Sequence, residues 1–101
     1  MIHHIVSWNF KEGLTQEEKT AVAAQIQEKL DLVTEAMEGC FGCEIKMPLL
    51  DTSSAEMMLH GRYDSVETLA AYQVHPIHLE AVAIIKANCC NRTCCDFEAQ
   101  E

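Results

Sequence analysis

No stretch of this 101-residue chain approaches the roughly 18 consecutive apolar residues that a membrane-spanning helix needs, so no segment is expected to cross a bilayer. Basic residues are also scarce: seven lysines and arginines face sixteen aspartates and glutamates, a formal net charge of −9. Phosphate backbones and anionic membrane surfaces are both held by clustered basic groups, so neither a nucleic acid nor a membrane is an expected partner. A strongly anionic small molecule would be repelled unless a lysine or arginine compensated locally. The opening Met1-Ile2-His3-His4 lacks the basic and apolar regions of a secretion signal, and a cytoplasmic location is expected. Internal repeats, low-complexity segments and an interdomain linker are missing as well, which predicts one domain over residues 1–101.

What is present is an ordinary globular composition, 49% apolar and 23% charged. A chain this short buries only about 60–65% of its unfolded surface, so a second copy would add useful buried area. Residues Ile2 to Phe10 alternate: Ile2, His4, Val6, Trp8 and Phe10 share one face, His3, Ile5, Ser7 and Asn9 the other. A period of two predicts a strand. Thr15-Gln16-Glu17-Glu18 has the form of a capping box, and Val22, Ile26, Leu30, Val33 and Met37 form one apolar helical stripe after it. Gly39 suits the stop of that helix. Phe41 to Met47 and Met57 to Tyr63 alternate again, predicting two more strands. Either Asp64 or Ser65 caps a short helix, and Pro76 breaks it near His75 and opens another. Cys89 to Glu98 is the fourth predicted strand, and residues 99–101 are expected to fray.

The order is β-α-β-β-α-β with its second helical segment broken at Pro76, an α+β, ferredoxin-like antiparallel sheet with helices on one face. The bare face of such a sheet must be polar or covered. Its mixture of apolar and polar residues favours covering by a second chain, that is, a homodimer.

Several motifs carry a resemblance. His4-Ile5-Val6 with Phe10-Lys11-Glu12-Gly13, Tyr63-Asp64-Ser65 with Leu69-Ala70-Ala71-Tyr72, His75-Pro76-Ile77-His78, and the closing Asp96-Phe97-Glu98 resemble the stress-responsive A/B barrel domain (Dabb) family over essentially the whole chain. The resemblance implies a dimeric α+β barrel in which two sheets close on each other. Most members have no assigned activity. A minority are polyketide cyclases, olivetolic acid cyclase among them. Positions similar to His4, Tyr72 and His78 line a pocket there between sheet and helices and carry acid–base aldol chemistry.

His4 and His78 draw attention without any family. Each shares a face with apolar residues, so both imidazoles are carried inward. Burial lowers an imidazole's pKa, and a neutral imidazole is a suitable general base. Tyr72 could orient it or polarise a carbonyl. The alternatives are a purely structural set of hydrogen bonds, a pocket that binds without chemistry, and acid–base catalysis by His4, Tyr72 and His78. His75, at the helix break, is expected to cap carbonyls or pack there. His3 is expected at the surface or an interface, and Arg62 and Arg92, the only arginines, in ion pairs.

Most of the six cysteines read as buried thiols. Cys40-x-x-Cys43 has the spacing of a metal knuckle or redox pair, but residues three apart on a regular strand point to opposite faces. Only a turn at Phe41-Gly42 would bring the thiols together. Along the last strand, regular alternation places Cys90 with Cys94 and Cys89 with Cys95. A zinc site needs about four convergent ligands, which would require Cys40 and Cys43 beside the last strand, so no metal and no cofactor is expected. Three functions follow from these readings. The first is a homodimer binding a small hydrophobic or aromatic molecule between sheet and helices. The second is a polyketide cyclase-like or cofactor-free monooxygenase-like enzyme. The third is a cysteine-based metal or thiol sensor.

Overall fold

The computed structural model describes residues 1–101. Its elements are β1 (Ile2–Phe10), α1 (Gln16–Ala36), β2 (Cys40–Lys46), β3 (Met57–Tyr63), α2 (Val66–Gln73), α3 (Pro76–Asn88) and β4 (Cys89–Glu98). The strands form one antiparallel sheet in the order β2-β3-β1-β4, with the helices on one face. This is the ferredoxin-like arrangement read from the alternation and breaks in the sequence. None of the helices is long and apolar enough to cross a membrane.

Local chemistry sets the helix ends. Thr15 accepts from the Glu18 amide while Glu18 reaches back to the Thr15 amide, so α1 begins in a complete capping box. At its far end Gly39 takes a φ of +89°, and a Cβ there would lie 2.6 Å from the Asp64 carboxylate, so only glycine fits. Ser65 caps α2 by accepting from the Thr68 amide. His75 caps α3: its Nδ1 accepts from the Ile77 amide at 3.2 Å. The expectation that His75 would cap carbonyls is therefore corrected, because Pro76 places the histidine before a helix start, where free amides rather than carbonyls need partners.

The core lies between the inner face of the sheet and the helices. Ile2, Val6, Trp8 and Phe10 of β1 and Met57, Leu59 and Tyr63 of β3 meet Val22, Ile26, Leu30 and Val33 of α1, with Leu69, Tyr72 and Ala81 beside them. Each fully buried large side chain here stabilises the fold by about 1.5–3 kcal/mol.

Two strand irregularities decide which side chains face inward. The β2–β3 register shifts between Cys40 and Gly42, so Cys40 lies opposite Tyr63 and Cys43 opposite Gly61. Both thiols thus turn into the core, their sulfurs 3.7 Å apart. The β1–β4 register shifts between Ser7 and Asn9, beside Asn91, whose φ is +55°. As a result Cys89, opposite Phe10, and Cys94, opposite Val6, share the inner face. Cys90, opposite Asn9, and Cys95, opposite Ile5, face outward. The pairings expected from unbroken alternation are overturned in both strands, because one inserted residue reverses every following side chain.

The outer face departs from expectation at His3, which is only 7% exposed. Its ring stacks on Phe97 at 4.9 Å and on His60 at 5.2 Å, and Nδ1 lies 2.9 Å from His60 Nε2. The last residues do not fray: the Ala99 amide donates to the Met1 carbonyl, and the Glu101 carbonyl lies 2.5 Å from His3 Nε2.

Candidate active site

A cavity of about 270 Å³ lies between the inner face of the sheet and the helices. His4 and Trp8 of β1, Tyr72 at the end of α2, His78 of α3 and Arg92 of β4 stand on its wall, among apolar side chains from α1, β3 and α3. The three residues singled out in the sequence, His4, Tyr72 and His78, are thus brought to one cavity. His75 is not among its lining residues; it serves the helix start.

The three residues form a chain of rings. Tyr72 lies with its ring centroid 4.3 Å from that of His78 and 6.2 Å from that of His4, edge-on to the latter. Tyr63 backs Tyr72 at 5.0 Å. His4 is 3% exposed, and its Nδ1 lies 2.5 Å from Asp96 Oδ1. A carboxylate can only accept, so His4 Nδ1 carries a proton and donates it to Asp96. The half-buried His78 has Nδ1 3.0 Å from the Gln73 carbonyl oxygen, which likewise makes Nδ1 the donor. Burial holds the His78 pKa below the usual histidine value, against the opposing pull of the Gln73 carbonyl; the charges of His4, Arg92 and His75 push it the same way as burial. Nδ1 is thus the donor on both rings, and burial biases His78 toward its neutral form.

Two buried polar atoms lack any hydrogen-bond partner, Trp8 Nε1 and Tyr72 Oη, and both residues belong to the cavity wall. Such groups are rare in native proteins. Burial raises the Tyr72 pKa strongly, so its hydroxyl stays a donor. Lys86 and Arg92 add two cations to the wall of a chain whose net charge is −9. Arg92 makes no ion pair, contrary to expectation, whereas Arg62 pairs with Glu44 at 3.4 Å on the outer face. The bulge at Asn91 explains the difference, since it places Arg92 at the cavity instead of among the acidic groups of the sheet's outer face.

Sequence reasoning missed Trp8, Arg92 and Asp96 as site members. Trp8 was visible on the His4 face, and its indole N–H was the signal. Arg92 and Asp96 could not be placed without knowing the register of β4. The thiols of Cys40 and Cys43 form a separate pair at the other edge of the sheet, away from β4. A hydrogen bond from Cys43 makes Cys40 the more acidic of the two. That bond, and burial, keep Cys43 protonated.

The fold and the cavity define a ferredoxin-like α+β domain with an internal site between sheet and helices. The chain belongs to the Stress responsive A/B Barrel Domain (Dabb) family, whose model matches residues 2–99. Among solved structures it resembles a dimeric ferredoxin-like protein of unknown function from Bacteroides fragilis. That match has a TM-score of 0.85 and 21% identity over 97% of this chain and 95% of that one. It also resembles a protein of Arabidopsis thaliana, with TM-score 0.77 and 15% identity over 100% of this chain and 97% of that one. A Dabb family protein with a ferredoxin-like fold from Mesorhizobium loti matches with TM-score 0.73 and 15% identity, over 99% of this chain and 97% of that one. No functionally curated protein matches the chain.

Proposed function

We propose that the chain forms a homodimer and binds, in each protomer, one small and largely apolar or aromatic molecule that carries a polarised oxygen. The observation that carries this reading is one cavity lined by His4, Tyr72, His78 and Arg92, whose lining also includes Trp8; Trp8 and Tyr72 are the two residues with unpartnered buried donors. An oxygen of the ligand would satisfy a donor that the protein leaves without a partner, which offsets the cost of burying it. Lys86 and Arg92 supply the positive charge that an enolate, phenolate or carboxylate needs near an acidic chain. A volume of about 270 Å³ suits a molecule of about one ring with a short substituent, slightly below the usual range of about 300–1,000 Å³ for drug-sized ligands.

A second reading, acid–base catalysis on such a ligand, is favoured by His78. Its Nδ1–H is engaged by the Gln73 carbonyl and its pKa is lowered, which leaves Nε2 as a neutral base. In this reading His78 removes a proton α to a carbonyl, and Tyr72 with His4 orients the oxygen that gains charge.

Trp8 is the only tryptophan, so its fluorescence reports on the cavity. Titration with alkyl phenols and phenyl β-diketones is expected to change it saturably, one ligand per chain. Val82 of α3 also lines the cavity, and Val82→Phe, which fills it, should abolish the change. A linear response, or one indifferent to Val82→Phe, overturns the binding reading. Deuterium uptake at the α carbon of a bound diketone, lost in His78→Gln while binding persists, would establish the catalytic one.

A further inference from the structure

We infer that His4, Cys94 and Asp96 form a binding site for a divalent, thiophilic transition-metal ion of the zinc class, with a fourth position open to water or a ligand oxygen. The three donors differ in kind, and their geometry supports the assignment. His4 Nδ1 lies 3.7 Å from Cys94 Sγ, and Cys94 Sγ lies 3.5 Å from Asp96 Oδ1. A tetrahedral zinc shell with bonds of about 2.0–2.3 Å separates neighbouring donors by roughly 3.3–3.7 Å. Two of the three separations therefore fall at that spacing before any ion is added. The third, 2.5 Å between His4 Nδ1 and Asp96 Oδ1, is the hydrogen bond an ion would replace.

The backbone explains why the set converges. Asp96 lies directly opposite His4 in the β1–β4 register and Cys94 opposite Val6, two residues along the same face. With regular pairing from Cys89 onward, Cys94 and Asp96 would point to the outer face of the sheet. The extra residue at Asn91 turns both toward His4. Cys94 and Asp96 are exposed on an edge strand, so an ion can reach them from solvent, while His4 is buried and held in place by the sheet. Asp96 has no lysine or arginine partner; its hydrogen-bond partner is His4. Zinc thus needs three ligands from this chain, not four, when one position stays open.

The Cys94 thiol loses its proton to solvent on binding the ion. Counted from the neutral ring, the proton of His4 Nδ1 moves to Nε2, freeing the Nδ1 lone pair for the metal, and Asp96 binds as the carboxylate. One proton is released per ion.

The test is titration of the 101-residue chain with cobalt(II) chloride under a non-thiol reductant, with zinc(II) displacement. We expect one equivalent of cobalt, a sulfur-to-cobalt charge-transfer band with intense tetrahedral visible bands, and loss of both on adding zinc. Cys94→Ser should remove the charge-transfer band. Asp96→Asn should weaken binding by more than the roughly 10–100-fold that loss of an outer-shell partner costs. The Cys40→Ser/Cys43→Ser double variant should retain the full signal. Absence of the band in the wild type, its persistence in Cys94→Ser, or its loss in the Cys40/Cys43 variant would each overturn the inference. Cys94 and Asp96 are exposed, so folding of these variants is not in question. The readout requires no cavity ligand, so it succeeds or fails independently of the binding reading above.

Discussion

His78 keeps a neutral ring in a half-buried position, with Nδ1 donating to the Gln73 carbonyl, and that arrangement has a definite sign in acid. Its folded pKa is depressed chiefly by burial. The unfolded chain, in which histidine titrates near 6.5, therefore binds more protons over the interval below that value. The stabilising contribution is complete above about pH 6.5 and is lost as the pH falls through the folded pKa. The wild-type Tm is expected to drop between pH 7 and pH 5, and His78→Gln to show a shallower drop over the same range. His60, whose pKa burial also lowers, keeps part of the slope in that variant. A slope unchanged by His78→Gln, measured by thermal melts across that range, would show that His78 is not the group being titrated. At this scale the sequence was informative where alternation alone sufficed. His4 shares the parity of Val6 and Trp8, and His78 the stripe of Ala81 and Val82, so both could be assigned inward. What the residues could not show was their hydrogen-bond partners, because Asp96 and the Gln73 carbonyl arrive from register and loop geometry.

The elements themselves were legible, since capping residues, prolines and periodicity mark their ends: Thr15, Ser65 and Pro76 fall at the observed helix boundaries, and the alternating runs fall within one residue of the observed strands. The two bulges were not legible. A bulge adds one residue without changing composition or the local apolar pattern, yet it reverses the faces of everything after it. In β2 this brings Cys40 and Cys43 to one side, and in β4 it carries Arg92, Cys94 and Asp96 to the cavity face. The β4 bulge rests on Asn91, whose left-handed φ of +55° an asparagine tolerates and a β-branched residue does not. Asn91→Val is expected to destabilise the domain by about 1–3 kcal/mol. Asn91→Gly should cost well under 1 kcal/mol, since glycine adopts that conformation freely. Urea denaturation of the two variants decides the matter. Equal losses would mean that the side chain of Asn91, not its backbone conformation, maintains the bulge.

Over the whole molecule, the helices cover only one face of the sheet, and the opposite face carries Ile5, Met58, His60, Thr93, Cys95 and Phe97. That surface is neither uniformly polar nor closed over. Phe97 stays 49% exposed even though its ring stacks on His3. Half-buried Ile5 and Met58 lie on the two central strands, where a sheet face normally packs against something. A second copy presenting the same face would bury these residues together and place the His3–His60 pair near the interface, the symmetric arrangement that most small homodimers use. Sedimentation at micromolar concentration is expected to show twice the 11.3 kDa mass of the chain. Phe97→Glu introduces a charge into the apolar part of that face without touching the core on the helix side. It should shift the chain to a monomer while its far-ultraviolet circular dichroism stays that of the wild type. Because the cavity lies on the other side of the sheet, Trp8 fluorescence titrations with the same phenols should still saturate in the monomer. Loss of ligand binding on dissociation would instead show that the second copy is needed to shape the cavity, and the site would have to be described as a property of the pair.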